Sequence, residues 1–371
     1  MKTYQEKRRW IWEGTNFPNF IYEHIRLDTL NHKFGQLDMV EKFMSEHDAN
    51  ALQLDRLISE ALSTSAIEGE ILQRSSVHSS INKILKLGLE DDYSYTIESD
   101  ALIEILLDAK TNKAVLDEKR LLQWHKALFP TGSSGLRDIN IGCYRVDNED
   151  MQIVSGAWNK EKVHYIAPPA SNVTGLMSKF LIWLNNDNEL HAIHKAAMAH
   201  IYFVLIHPFD DGNGRIARAI TDYVLAQSSL ANAKFYSIST GIYQKRKEYY
   251  QVLDKVCVNT TQDITLWMEW FIHLLEDSID DTLVEIQTVQ IKAKFWDRHI
   301  ETKLNERQKK VILKILSYLP LKFEGGMRVQ KYMGITKATR LTASRDLSDL
   351  VLKNIMISHG KGRGVYYSLI V

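Results

Sequence analysis

HPFDDGNGRIAR, residues 207–218, is the stretch whose reading decides this chain. It follows a long apolar-periodic run, 189–206, and opens another. Pro208 ends the first helix, because proline disfavours helical geometry in the residue before it. Gly212, Asn213 and Gly214 then allow a sharp turn, and Arg215–Ala226 resumes a helical pattern through Ile216, Ile220, Tyr223 and Val224. A loop that ends at a helix N-terminus presents free backbone N–H groups, which favour anions such as phosphate. Arg215 and Arg218 lie three apart on the new helix, so both guanidinium groups can project from one face. That grouping points to an enzyme site for a phosphate ester.

The 371 residues, 45% hydrophobic and 25% charged, suit a soluble globular protein of two or three domains. The first twelve residues are charged and carry no apolar core, and no run approaches a membrane span. Cys143 and Cys257 build neither a disulfide framework nor a metal motif, so a cytoplasmic address is expected and no membrane partner. The net charge of zero hides an asymmetry. From Leu304 to Val371 thirteen Lys and Arg face four Asp and Glu, while the first 303 residues carry 33 basic and 42 acidic side chains. A separate basic C-terminal module is the simplest source of that imbalance.

Six prolines and no Gly-rich linker indicate a mainly α protein. Trp10, Trp12, Phe17, Phe20 and Ile21 around Pro18 form an aromatic cluster read as a small core. Helices are predicted over Leu27–Glu46 and Asn50–Glu68, the second carrying Leu54, Leu57, Ile58 and Leu62 on one face and stopping near Gly69. Further helices are predicted over Ser75–Leu87, Thr96–Thr111 and Asp117–Leu128. Met151–Val154 and Val163–Ile166 read as a small β-hairpin, and Leu176–Asn185 returns to helix after Pro168 and Pro169. His191, His194 and His200 precede His207 without the HExxH arrangement, so capping or packing is their expected role and zinc is rejected.

In the C-terminal module, Asn305–Leu316 is predicted as a helix with Asn305 and Gln308 at capping-box spacing. A short helix over Met327–Met333, a turn at Gly334, an N-cap at Thr336, a helix over Lys337–Lys353 and strands Ile355–Ser358 and Val365–Leu369 complete it. Helix, turn, helix and a basic hairpin at Lys361 and Arg363 resemble a winged helix. DNA contact through 336–364 and a protein-docking role both remain open on these residues.

Residues 207–218 also resemble the signature of Fic proteins, HPFx(D/E)GN(G/K)RxxR, with every specified position filled. The resemblance implies a Fic-type helical bundle with a small β-hairpin flap, an N-terminal helical region (1–95), a catalytic core (96–300) and the winged helix (301–371). It implies transfer of AMP from ATP to a Ser, Thr or Tyr hydroxyl of a target protein, which the flap would hold by strand addition. His207 would take the hydroxyl proton. Asp211 would hold Mg²⁺. Gly212, Asn213 and Gly214 would bind the α-phosphate, and Arg215 and Arg218 the β- and γ-phosphates. Phe209 is expected to anchor the loop, and Asp210 has no assigned role. Upstream, Thr64-Ser65-Ala66-Ile67-Glu68-Gly69 resembles the inhibitory motif (S/T)xxxE(G/N), which implies that Glu68 pairs with Arg218 and denies it to the γ-phosphate. Other Fic chemistry, AMP removal included, and a DNA-binding regulator are the rival readings; a homodimer is one assembly the resemblance allows.

Overall fold

Fourteen α-helices and three two-stranded antiparallel sheets make up the described residues of the computed structural model, which are 9–85, 95–134, 137–146, 149–155, 162–186, 189–228, 234–321 and 323–371. The chain divides into two compact units, Met1–Asp280 and Asp281–Val371. The mainly α class expected of the sequence is the one observed.

The first unit holds α1 (Asp28–Phe43), α2 (Glu46–Ile67), α3 (Arg74–Leu85), α4 (Ile97–Thr111), α5 (Glu118–Leu128), α6 (Ala170–Asn186), α7 (Ala192–Ile206), α8 (Asn213–Gln227), α9 (Ile238–Gln244) and α10 (Arg246–Cys257). Side-chain caps set several of these starts. Ser45 accepts the Asp48 N–H, so α2 begins at Glu46, earlier than the predicted Asn50. Thr96 and Asp117 likewise cap α4 and α5. The end of α2 falls where the sequence placed it, because Gly69 turns the chain in the left-handed region at φ +87°. The predicted tail of α3, residues 86 and 87, lies outside the described residues.

Helices α7 and α8 form the centre. Both are buried on nearly all sides, and Ala196, Ala197, Ala199, Ala217 and Ala219 keep their backbones close to their neighbours. Trp267 is fully buried and donates its indole N–H to the Ala197 carbonyl at 2.7 Å. The aromatic cluster near the start is a core: Trp10 meets Tyr165 edge-on at 5.7 Å, and Phe17 and Phe20 both pack on Tyr202. The predicted hairpin is present as β3 (Gln152–Ser155) and β4 (Lys162–Ile166), after a smaller pair, β1 (Ser133–Ser134) and β2 (Arg137–Asp138). The tip between β3 and β4, residues 156–161, lies outside the described residues. Hairpin β3–β4 is fixed from outside, by the Trp12 indole on the Ile166 carbonyl (2.7 Å) and by His164 on Asp254 of α10 (2.7 Å).

Helix α11 (Thr265–Arg298) runs across the division into the second unit, which continues with α12 (Glu306–Leu316), α13 (Val329–Thr336), α14 (Arg340–Leu352), β5 (Met356–His359) and β6 (Tyr366–Leu369). The Asn305–Gln308 capping box is present. One carboxylate ties the three short helices together: Asp346 accepts from Arg307 (2.8 Å), Tyr332 (2.8 Å) and Asn305 (3.0 Å). Two predictions are corrected here. Gly334 is not a turn but lies inside α13, and the N-cap of α14 is Thr339, not Thr336. The Thr336 hydroxyl donates back to the Tyr332 carbonyl, and the chain turns at Lys337 (φ +58°) instead.

Candidate active site

Residues 207–212 form a short loop between the two central helices, and 213–218 open α8. His207 caps the C-terminus of α7 in a left-handed conformation (φ 50°, ψ 61°) and its N–H bonds the Phe203 carbonyl. For a non-glycine residue that backbone is uncommon and costs of order 1 kcal/mol or more, so the surroundings must hold it. Arg145 does so. Its Nε donates to the His207 carbonyl (2.8 Å), its Nη2 to the Pro168 carbonyl, and its backbone N–H to the Pro208 carbonyl (2.9 Å). Beneath the loop, Phe209 is fully buried and stacks on His125, centroids 4.0 Å apart and planes within 6°. Phe209 therefore anchors the loop, as expected. Asp210, left without a role by the sequence, accepts from the backbone and side-chain N–H groups of Asn140 (2.8 and 2.9 Å).

Asn213 closes the loop on itself. Its Oδ1 accepts the Phe209 N–H (3.0 Å) and its Nδ2 donates to the Phe209 carbonyl (2.8 Å), and the side chain is buried. In this arrangement the amide serves the loop. Gly212 is the left-handed N-cap of α8 (φ +78°), and a Cβ on it would meet Leu128 at 2.8 Å and Phe129 at 2.9 Å. The N–H groups of Asn213, Gly214 and Arg215 in the first turn have no intrahelical acceptor within reach. Asp211 has both carboxylate oxygens oriented: Oδ1 accepts the Gly212 N–H (2.6 Å), and Oδ2 the Ser134 hydroxyl.

The two arginines project from α8 toward the end of α2. Arg218 is almost fully buried; its Nε donates to Thr64 Oγ1 (2.7 Å), and its Nη2 to the Thr64 carbonyl (3.0 Å) and Glu68 Oε1 (2.8 Å). Burial pulls its pKa down, and the Glu68 carboxylate more than offsets this, leaving it above the ordinary value. Arg215, also buried, donates from Nη1 to Glu70 Oε2 (2.6 Å) and lies over the Phe129 ring. Arg218 Nη1 and Arg215 Nε have no hydrogen-bond partner among the described residues. Buried guanidinium donors beside open helix N–H groups make a cradle for a polyanion.

His207 Nδ1 sits 3.3 Å from the Val204 carbonyl. That contact requires the proton on Nδ1 and leaves the lone pair on Nε2. Burial, with Arg145 adding to it, pushes the imidazole down to about 4, so it is neutral near pH 7. The three histidines that precede it on or beside α7 are engaged in capping and packing. His191 is the N-cap of α7, His194 packs against Tyr22, and His200 is buried between Thr221 and Tyr249 at 3.0 Å each.

The profile of the Fic/DOC family matches residues 115–225, which include the whole of this loop. Over those residues the chain is similar to that family. A profile described only as a domain of unknown function, DUF4172, matches residues 10–87, the part that carries Glu68 and Glu70. Among curated relatives, the protein adenylyltransferase Fic of Drosophila mojavensis is 31% identical over 134 residues, 31% of this chain and 26% of that one. A probable protein adenylyltransferase of Aquifex aeolicus is 35% identical over 68 residues, 18% of this chain and 21% of its own. The chain thus spans about a quarter of the length of the relatives it matches. In fold, a Fic family protein from Desulfovibrio desulfuricans superposes with a TM-score of 0.53 at 20% identity, covering 95% of this chain and 98% of that one. A Fic domain protein from Bacteroides thetaiotaomicron gives 0.52 at 15% identity, over 70% of this chain and 97% of its own.

In and around this loop the structure brings together His207, Asp211, Gly212, Asn213, Gly214, Arg215, Arg218 and, from the C-terminal end of α2, Glu68. Sequence reasoning missed Arg145, His125, Ser134 and Glu70. None lies in a periodic pattern with the loop, and each acts across at least 62 residues of chain. Among the described residues no helix is long and apolar enough to cross a membrane.

Proposed function

We propose that this protein transfers AMP from ATP to a hydroxyl of a protein substrate, and that Glu68 restrains the reaction. The observation that carries this is the buried pair of arginines on the first turns of α8, one of them held by Glu68, beside a histidine whose Nδ1 contact leaves the lone pair on Nε2. The similarity to curated adenylyltransferases supports the same chemistry.

In this reading a Ser, Thr or Tyr hydroxyl oxygen attacks the α-phosphorus of ATP. His207 Nε2 accepts the hydroxyl proton, the bond to the bridging oxygen breaks, and pyrophosphate leaves. The open N–H groups of Asn213, Gly214 and Arg215 stabilise charge that builds on the α-phosphate. Arg215 and Arg218 hold the β- and γ-phosphates and orient the leaving group. Asp211 fits Mg²⁺: it offers a hard carboxylate whose two oxygens are oriented by the Gly212 N–H and the Ser134 hydroxyl. Mg²⁺ typically takes one or two carboxylates and completes its shell with phosphate oxygens and water. Bound there, it would neutralise phosphate charge. While Glu68 occupies Arg218, the γ-phosphate loses its arginine and ATP settles unproductively.

The proposal is tested by incubating the Glu68→Gly variant with ATP, Mg²⁺ and a cell lysate, then searching peptides by mass spectrometry. Peptides carrying one added AMP on Ser, Thr or Tyr support it. Phosphate or another group on those hydroxyls, with no AMP, sinks it.

We further read the second unit as a winged helix with hairpin β5–β6 as the wing. The exposed face of α14 mixes Arg340 and Arg345 with Leu341 and Leu352, 63% and 83% exposed. Apolar side chains of that size favour docking to protein over reading DNA. A gel shift with random-sequence DNA at low salt would overturn this preference if it showed tight, salt-sensitive binding.

A further inference from the structure

We infer that Glu70 is a second restraining carboxylate, closing Arg215 as Glu68 closes Arg218, so that the phosphate cradle is held shut at two points by one turn of chain. The inference rests on the adenylyl-transfer reading only for its biological meaning; the contact itself concerns any polyphosphate that would enter the cradle.

The geometry begins at the end of α2. The N–H groups of Glu68 and Glu70 both return to the Ser65 carbonyl at 3.0 Å, and that of Gly69 returns to Ala66 at 3.1 Å. With Gly69 at φ +87°, this wraps the chain into a tight helix-ending turn, in which Glu70 comes back beside Glu68 rather than running away from it. The two carboxylates therefore share one helix end. They face Arg215 and Arg218, which lie three apart on α8 and so share a face. Glu70 Oε2 meets Arg215 Nη1 at 2.6 Å, and Glu68 Oε1 meets Arg218 Nη2 at 2.8 Å.

The pairs differ in exposure. The Arg215 side chain is 6% exposed while that of Glu70 is 46% exposed. A buried cation held by a half-exposed acid is poised for exchange, because the acid regains water when it leaves and an entering phosphate supplies the lost charge. Removing Glu68 alone strips Arg218 of its carboxylate partner, with Thr64 still holding it, and leaves Arg215 engaged by Glu70. Full opening requires both, and because they share a turn, a shift of that turn releases them together.

The experiment is calorimetric titration of inorganic pyrophosphate into the full-length wild type, Glu70→Gln, Glu68→Gly and the double variant. Loss of an ion pair of this exposure is expected to tighten pyrophosphate about fivefold in Glu70→Gln, and by a similar factor again when added to Glu68→Gly. Glu70→Ala should behave as Glu70→Gln does, which separates loss of charge from a new amide contact. Equal or weaker affinity on removing Glu70 in both backgrounds overturns the inference, since Glu70 would then hold Arg215 in place for the ligand rather than against it. Absence of pyrophosphate binding in all four proteins overturns it too. The AMP-transfer assay run on the same proteins judges the catalytic reading separately: a pyrophosphate shift without any AMP transfer keeps Glu70 and sinks the reaction.

Discussion

Glu68 Oε1 stands 2.8 Å from Arg218 Nη2 in a space that exists because residue 214 has no side chain; a Cβ on Gly214 would lie 2.1 Å from that same oxygen. The glycine in the loop and the glutamate at the end of α2 are thus sterically matched. Gly214 lies in ordinary helical geometry, so an alanine there strains the contact and not the backbone.

Gly214→Ala is therefore expected to push the Glu68 carboxylate away and raise AMP transfer, by about tenfold if the displaced contact is worth ~1.4 kcal/mol. In a Glu68→Gly background the same substitution should add nothing. Rates of AMP transfer for the four combinations measure this, and an increase that persists without Glu68 would show that the glycine acts through something else.

Arg145 holds the loop rather than touching a substrate. It is 4% exposed, and Arg145→Ala would strip the buried carbonyls of His207 and Pro168 of their donors. Each such loss costs about 1–3 kcal/mol, so unfolding by urea should show a clear drop in midpoint. With Glu68→Gly as parent, the variant should also lose most of its turnover, because the left-handed His207 is no longer pinned. Unchanged stability would contradict the role assigned to it.

Stability should fall in mild acid. Burial depresses the folded pKa of His125 to about 4, of His200 to about 3 and of His207 to about 4, all from an ordinary value of 6.5. Between 6.5 and those values the unfolded chain binds more protons, so their stabilising share is complete above 6.5 and is lost as pH falls toward 4. Asp222, raised by burial to about 7 against the pull of Lys110, works in the opposite direction throughout that range, but it is one group against three. Melting temperatures at pH 7.5, 6 and 5 should decline progressively, and a flat or rising series would contradict the buried neutral histidines.

Phe209→Ala removes the ring stacked on His125 and should cost about 3–5 kcal/mol. Denaturant midpoints for this variant and for Phe209→Leu test whether the loop rests on that packing; near-equal values for wild type and alanine would refute it.

What the sequence made legible was local. The loop and the start of α8 follow from a proline, two glycines and the return of apolar spacing, all within twelve residues. Caps written in adjacent residues, such as Asp117 and Asn305, marked their helices for the same reason. The Glu68–Arg218 pair spans 150 residues and was reached through family resemblance, since no local rule links the two. Arg145, His125 and Glu70 share that range and carry no motif, so they stayed hidden. Gly334 misled because glycine is a common turn residue that a packed helix still tolerates. Residues 96–300 were read as one core without resolving α9, α10 or α11, which hold no loop chemistry to punctuate them.

The most direct test of the central claim is to incubate wild type, Glu68→Gly, and His207→Ala in the Glu68→Gly background with Mg²⁺ and α-labelled ATP, following label on the protein and on lysate proteins. The account predicts strong labelling by Glu68→Gly, little by wild type and none once His207 is removed. Labelling that is equal with and without Glu68, or that survives loss of His207, would contradict it.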